Sequence, residues 1–321
     1  KINFNMKKNS LRITFCPGPG AVIPEWSEGQ TEFFGRGDNY YSSIKEKTLN
    51  WIKKIAQQNN VIPIAGSGTT AAIIAFNTFL KGEICIIKTG YYSDRWYNYL
   101  KKTKSVKKIK YLTLENLKNK KTKFDWVIFV YVETASCKKF DIKKAFLIKK
   151  KTRSKLMVDA TASIGLENYH NLADVIFFSS CKGLFGPTGL GFVAHKSQAK
   201  KIRSKDFWYD YETHDKSKYT LGYNCIAALE KISSKHSKFK KKLIFAKNFM
   251  KKYTLNQIHS PNIGIGLKKK INKKKVSKNT LLYVPRQKIG YDTIFFLGMI
   301  KFSKSQIKKH LKNQIINKFI Y

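Results

Sequence analysis

The chain has 321 residues, 42% of them apolar and 14% aromatic, and a formal net charge of +43. That length fits about two domains and a full core without metal or disulfide staples, and 22 Phe, 17 Tyr and 5 Trp exclude disorder as the main state. The longest apolar runs, residues 126–132 and 294–300, fall far short of the roughly 18 residues that a membrane-spanning helix needs.

The chain opens on Lys1 with a basic stretch, Met6 is a candidate start, and no apolar leader segment follows. Cys16, Cys85, Cys137, Cys181 and Cys225 are scattered, with no CxxC pair. They point to reducing, cytoplasmic surroundings rather than to disulfides or a metal site. Of the 63 basic residues, 57 are lysine and six are arginine. Base-reading proteins lean on arginine for its planar fork, so this make-up argues against nucleic acid. The lysine runs at 149–151, 240–242, 268–270 and 273–275 read as solvated faces, with an acidic partner as the alternative.

In chain order, residues 61–65 form a short apolar run that ends at Gly66-Ser67-Gly68, and residues 69–80 are apolar almost all round, as in a buried helix. Strands are expected at 84–88, 125–132, 156–158, 175–178 and 190–194. The first four end at Thr89-Gly90, Glu133-Thr134, Asp159 and Ser179-Ser180. Short, fully apolar strands separated by helices suggest a mostly parallel sheet covered on both faces. Ligands bind beyond the carboxyl ends of such strands, where the polar and glycine-rich residues fall here. Past residue 230 the character changes to weak strands at 262–267, 280–284 and 293–300. A terminal amphipathic helix follows from near Ser303, carrying Ile307, Leu311, Ile315 and Ile316. The expected division is an N-terminal segment 1–21 packing with a small α+β domain 231–321, around a large domain 22–230.

Four segments could carry chemistry jointly. Gly66-Ser67-Gly68-Thr69-Thr70, between strand and helix, could cradle a phosphate with hydroxyls and a helix N-terminus, or be a capped glycine turn. Asp159 ends a buried strand, where a carboxylate needs a partner; a turn or helix cap is the plainer alternative. Lys182, unlike most of the lysines, lies between an apolar strand and a glycine-rich turn, 177–192. A partly desolvated lysine there has a lowered pKa and is a usable amine nucleophile. Thr89 to Trp96, with Tyr92, could lay an aromatic face over a flat ligand or simply belong to the core. A phosphate cradle, a strand-end carboxylate, a stacking ring and a desolvated lysine together are the parts that hold pyridoxal phosphate.

The sequence then resembles a class V, fold type I pyridoxal-phosphate aminotransferase, nearest the alanine–glyoxylate, serine–pyruvate and 2-aminoethylphosphonate–pyruvate group. The resemblance runs from about Phe15 to Leu229. It rests on Cys16-Pro17-Gly18-Pro19-Gly20, Gly66-Ser67-Gly68-Thr69, Tyr92, Glu133-Thr134-Ala135-Ser136, Val158-Asp159-Ala160-Thr161-Ala162-Ser163, Ser180-Cys181-Lys182-Gly183-Leu184 with Gly186-Pro187-Thr188-Gly189, and Thr220, in that order. It implies an α/β fold with a mostly parallel, seven-stranded PLP-transferase sheet between helices and a small α+β C-terminal domain. It also implies that Lys182 forms the Schiff base and that Asp159 faces the ring nitrogen. Ser67, Gly68, Thr69, Tyr92, Thr134, Thr161 and Ser180 would hold the cofactor, with Thr220 reaching across a homodimer. The reaction implied moves an amino group from a small donor (alanine, serine or 2-aminoethylphosphonate) to pyruvate or glyoxylate.

There are departures. Phe296 stands where the family carries a carboxylate-binding arginine, which leaves Arg286 or Arg12 as candidates for that task, and Cys181 replaces the usual Asn or Gln. Cysteine desulfurases share the fold but typically carry a His before the lysine and a Cys on a small-domain loop, which this sequence lacks. A lyase or decarboxylase, a sugar aminotransferase, and a non-catalytic basic binding protein on this scaffold are the competing readings.

Overall fold

The computed structural model describes residues 12–320 apart from 21–22, 30–33, 36, 119–121, 197–200 and 217–220. Seven strands form the main sheet: β1 (Asn60–Ala65), β2 (Gly82–Ile87), β3 (Val106–Leu112), β4 (Trp126–Val130), β5 (Lys155–Asp159), β6 (Val175–Ser179) and β7 (Leu190–His195). Their order is β1-β7-β6-β5-β4-β2-β3. Only β7 runs antiparallel to its neighbours, with Gly191 opposite Ser179 and Leu190 opposite Ala65.

Alternation along each strand sends side chains to two separate layers. Ile62, Ile64, Ile84, Ile86, Ile128 and Phe177 pack under helices α2 (Gly68–Phe79) and α3 (Tyr91–Leu100). Val61, Cys85, Val127, Phe129, Val158 and Phe178 pack on the other face. There they meet α4 (Ile142–Thr152) and the layer built by α1 (Asn39–Ala56) and α5 (Tyr223–Phe249). With both faces covered, the central strands are apolar apart from residues near their ends. The exception is the edge strand β3, Val-Lys-Lys-Ile-Lys-Tyr-Leu, which sequence reasoning missed. Its lysines break the apolar pattern and blunt an edge that could otherwise pair with another chain.

The C-terminal part is shorter in strand than expected. Thr280–Leu282 runs parallel to Ile13–Phe15, and Gly264–Gly266 runs antiparallel to Thr293–Phe295. The apolar run 293–300 is a strand only to Phe295. It then becomes a buried turn, since Phe296, Leu297 and Met299 are all inside, and apolar character alone does not separate the two forms. Helix α6 (Lys304–Gln314) starts where Ser303 caps it, with Oγ accepting the Gln306 N–H at 3.3 Å. Ile307 and Leu311 are buried along it, and Ile315 and Ile316 fall past its end. The division expected between 230 and 231 falls inside the 27-residue helix α5, so no loop separates the two parts there.

Candidate active site

The carboxyl ends of the sheet strands deliver their polar residues to one pocket of about 210 Å³. Ser67 comes from the turn after β1, Gly68 and Thr69 from the first turn of α2, Tyr92, Arg95 and Trp96 from α3 after β2, and Thr134 from beyond β4. Asp159 ends β5, Ser179 ends β6, and Cys181, Lys182, Thr188 and Gly189 follow in the connection to β7.

Ser67 caps α2: its Oγ accepts the N–H groups of Thr69 at 3.1 Å and Thr70 at 3.4 Å. The turn is therefore both a helix cap and the rim of the pocket, at the end where a helix favours an anion. The space is tight. A Cβ on Gly68 would lie 3.2 Å from the Ser179 Cβ.

Asp159 is 6% exposed. Its Oδ1 accepts the Thr161 N–H at 3.0 Å and its Oδ2 accepts the Trp96 Nε1–H at 3.0 Å. Trp96 is locked edge-on against Phe76 and Phe177, with ring centroids 5.4 and 5.7 Å away. Burial raises the Asp159 pKa, and the bonds from Thr161 and Trp96 and the charge of Lys182 pull it back down. Among the described residues no cation is in ion-pair contact with it.

Lys182 is half-buried, and its Nζ donates to the Pro17 carbonyl at 2.9 Å. Burial lowers its pKa and the nearby Arg286 lowers it further, against the opposing effects of Cys181 and Asp159. It is thus the desolvated amine that its sequence surroundings suggested.

Tyr92 is fixed twice. Its N–H donates to Glu133 Oε2 at 2.8 Å, and its hydroxyl shares a hydrogen bond with the Thr134 side chain. Glu133 is fully buried, and its Oε1 accepts the Ala135 N–H at 2.9 Å. Burial raises its pKa to about 7, although both N–H groups act the other way. Gly90 makes room: its φ is +144°, and a Cβ there would stand 3.0 Å from the Glu133 Cγ.

The structure thus brings Ser67, Gly68, Thr69, Tyr92, Thr134, Asp159, Thr161, Lys182 and Arg286 to one pocket. Ser180 does not join them. It is fully buried, and its hydroxyl donates to the carbonyls of Pro187 and Leu190. The chain turns at Ser180, just past β6, and these two carbonyls hold its hydroxyl inside, so Ser179 lines the pocket in its place. Thr220 lies outside the described residues. Arg12 is exposed on a second cavity of about 960 Å³, which shares Tyr92, Lys182 and Arg286 with the first. Phe296, which the resemblance sets against the family's arginine, is fully buried, whereas the Arg286 guanidinium sits 5.7 and 6.0 Å from the Tyr91 and Tyr92 ring centroids. Arg95, Trp96, Glu133 and Thr188 fall inside the segments that the sequence pointed to, but sequence reasoning gave none of them a role.

The model of the family aminotransferase class-V matches residues 28–205. Three solved structures show the same fold. The aspartate aminotransferase of subgroup IV from Thermus thermophilus is 16% identical, covers 94% of this chain and 100% of its own, and superposes with a TM-score of 0.79. Pyridoxamine-pyruvate aminotransferase from Mesorhizobium loti is 14% identical, with 96% and 93% covered and a TM-score of 0.79. An alanine–glyoxylate aminotransferase from Nostoc sp. is 13% identical, with 94% of each chain covered and a TM-score of 0.77. No curated protein matches the sequence.

Proposed function

This chain belongs to the class-V aminotransferase family of pyridoxal-phosphate-dependent transaminases, and on that premise we propose that its pocket moves an amino group from a small amino donor to a keto acid. The donor is one of alanine, serine or 2-aminoethylphosphonate, and the acceptor is pyruvate or glyoxylate. One observation carries the reading: Asp159 is buried among neutral donors with no cation in ion-pair contact among the described residues, and it shares a pocket with the desolvated Lys182. A protonated ring nitrogen supplies the charge that such a carboxylate lacks.

The remaining residues fit the rest of the group. The α2 N-terminus with Ser67, Gly68 and Thr69 suits the phosphate, the Tyr92 ring suits a flat aromatic face, and Thr134 and Thr161 offer hydroxyls at the pocket wall. Bound pyridoxal phosphate supplies an electron sink beside the reacting carbon. Lys182 serves as attachment point and as general base: its lowered pKa favours the free amine that takes the proton from the donor carbon. The Pro17 carbonyl, 2.9 Å away, aims that amine. Arg286 holds the substrate's acid group at the pocket mouth, which favours acidic substrates over a sugar. The same reading makes the protein a cytoplasmic homodimer, and the five free cysteines support a reducing location.

The test is to load the purified protein with pyridoxal phosphate and add each donor. Bleaching of the cofactor's visible band, followed by its return with pyruvate or glyoxylate, is expected for at least one pair. A loaded protein that no donor bleaches would overturn the reading. Light scattering checks the homodimer, which a monomer mass would contradict.

A further inference from the structure

We propose that His236 and Trp26 are positioning residues for the reactive lysine: their side chains pin the turn that carries Lys182, and its amine keeps its place only while both hold. This inference rests on the role given to Lys182 above, and it adds two residues that line neither the reactive pocket nor the outer cavity beside it.

The turn after β6 closes with the Phe185 N–H donating to the Lys182 carbonyl at 3.0 Å and the Gly186 N–H to the Ser180 carbonyl at 2.9 Å. Its form is an unfavourable one. Phe185 has φ +60°, in the left-handed region, which a bulky residue adopts only where its surroundings fix it. Gly183 has no room for a side chain, since a Cβ there would stand 1.9 Å from the Ile164 carbonyl oxygen.

Two carbonyls of this turn are taken by side chains from distant parts of the chain. The buried His236 places Nε2 2.8 Å from the Gly183 oxygen; a carbonyl only accepts, so Nε2 carries the proton. The Trp26 Nε1–H donates to the Phe185 oxygen at 2.9 Å. The Phe185 ring packs on α5, with its centroid 5.0 Å from that of His236 and 5.7 Å from that of Phe239. The two supports are tied to each other. Glu25, beside Trp26, pairs with Lys235, beside His236, at 2.8 Å, and a Cβ on Gly29 would meet the Ala228 main-chain nitrogen of α5 at 2.4 Å. The segment that carries Trp26 also supplies the Pro17 carbonyl that the Lys182 amine reaches. A carbonyl that loses a buried donor turns towards another partner or water. Without either pin the strained turn relaxes, and the amine leaves Pro17 for solvent. The ionisable groups around the amine, Asp159, Cys16, Cys181, Tyr92 and Arg286, are unchanged in every variant below.

The test labels the cofactor-free protein with trace acetic anhydride from about pH 7 to about pH 11 and reads acetylation of Lys182 by peptide mass mapping, with the exposed lysines as internal standard. Three variants stand beside the wild type: His236→Phe, which fills the space without an N–H; His236→Gln, whose amide keeps a donor at the same reach; and Trp26→Phe. In the wild type, Lys182 reaches half-labelling at lower pH than the exposed lysines. His236→Phe and Trp26→Phe each raise that midpoint by about one pH unit, a tenfold loss of free amine at fixed pH, whereas His236→Gln keeps the wild-type value. A second arm traps pyridoxal phosphate on Lys182 with borohydride at fixed times. The two Phe variants form the adduct about tenfold more slowly, in step with the loss of free amine, and His236→Gln forms it at the wild-type rate. Urea unfolding shows that each variant is folded under these conditions; if His236→Phe is not, Trp26→Phe decides. A lowered urea midpoint with an unmoved Lys182 midpoint would make both residues merely structural and overturn the inference. So would a His236→Gln protein that shifts as far as His236→Phe. If the labelling behaves as expected and the wild type forms no adduct on Lys182, the pins stand and the transaminase reading fails. If the wild type forms the adduct and every variant matches it in midpoint and rate, this inference alone fails.

Discussion

Replacing Glu133 by Gln should remove a distinct pH dependence from the stability of the cofactor-free protein. Glu133 is fully buried, accepts the Tyr92 and Ala135 N–H groups, and is raised by burial from 4.5 to about 7. Between those two values the folded chain keeps a proton that the unfolded chain has released. Protons bound in the native state then exceed those in the unfolded state, so stability falls as pH rises through that window. At about 1.4 kcal/mol per pH unit, the full displacement costs the wild type about 3 kcal/mol by pH 8 relative to pH 4. Gln carries no charge to desolvate, but its amide group opposes one of the two N–H donors, a loss of roughly 1–3 kcal/mol that does not vary with pH. Urea unfolding of both proteins at intervals from pH 4 to pH 8 should therefore give a wild-type-minus-variant difference that slopes downward between about 4.5 and 7 and is flat above. Parallel stabilities across the whole range would refute the claim that this carboxyl is desolvated without a counter-charge.

Further predictions concern the cofactor pocket and its walls. Trp96→Phe removes the Nε1–H that Asp159 accepts at 3.0 Å; with a charged acceptor the loss is about 1.5–3 kcal/mol, so pyridoxal-phosphate affinity should fall roughly tenfold to a hundredfold in a fluorescence titration. An unchanged affinity would show that Trp96 does not support the carboxylate. Gly183→Ala places a Cβ 1.9 Å from the Ile164 carbonyl oxygen, so the loop that carries Lys182 must shift. Overpacking of this kind costs roughly 1–3 kcal/mol, to be read as a lower urea midpoint with the slope preserved. Arg286→Gln should raise KM for acidic substrates about tenfold or more while leaving uptake of the cofactor in place; equal loss of cofactor binding would move Arg286 from substrate to cofactor.

Much of this site could be read from the sequence because its parts stand at strand ends. Apolar strands that stop at Asp159 or at Gly66-Ser67-Gly68 announce both the sheet and the edge where ligands bind. Reading failed where the signal is not local. Strand β3 is hidden by Lys107, Lys108 and Lys110, because an edge strand meets solvent and need not be apolar. The partner of Lys182 is a main-chain carbonyl 165 residues away, and main-chain groups leave no mark in composition. Trp96 reads as core by its aromatic side chain, yet its one polar atom is what reaches Asp159. Ser179 and Ser180 are chemically alike, and only the turn that starts at Ser180, with the Pro187 and Leu190 carbonyls it bonds, decides which faces the pocket. Arg286 lies in a stretch with no periodic pattern, more than 90 residues beyond the last strand of the main sheet, and only the fold brings it to the pocket.

The central claim is that one lysine among 57 carries the cofactor. The direct measurement is borohydride reduction of the pyridoxal-phosphate-loaded protein, followed by peptide mass mapping, with Lys182→Ala treated alongside. The account predicts a single reduced adduct on the peptide that contains Lys182 and none in the variant. An adduct on another lysine, adducts spread over the exposed lysines, or a protein that takes up no cofactor would contradict it.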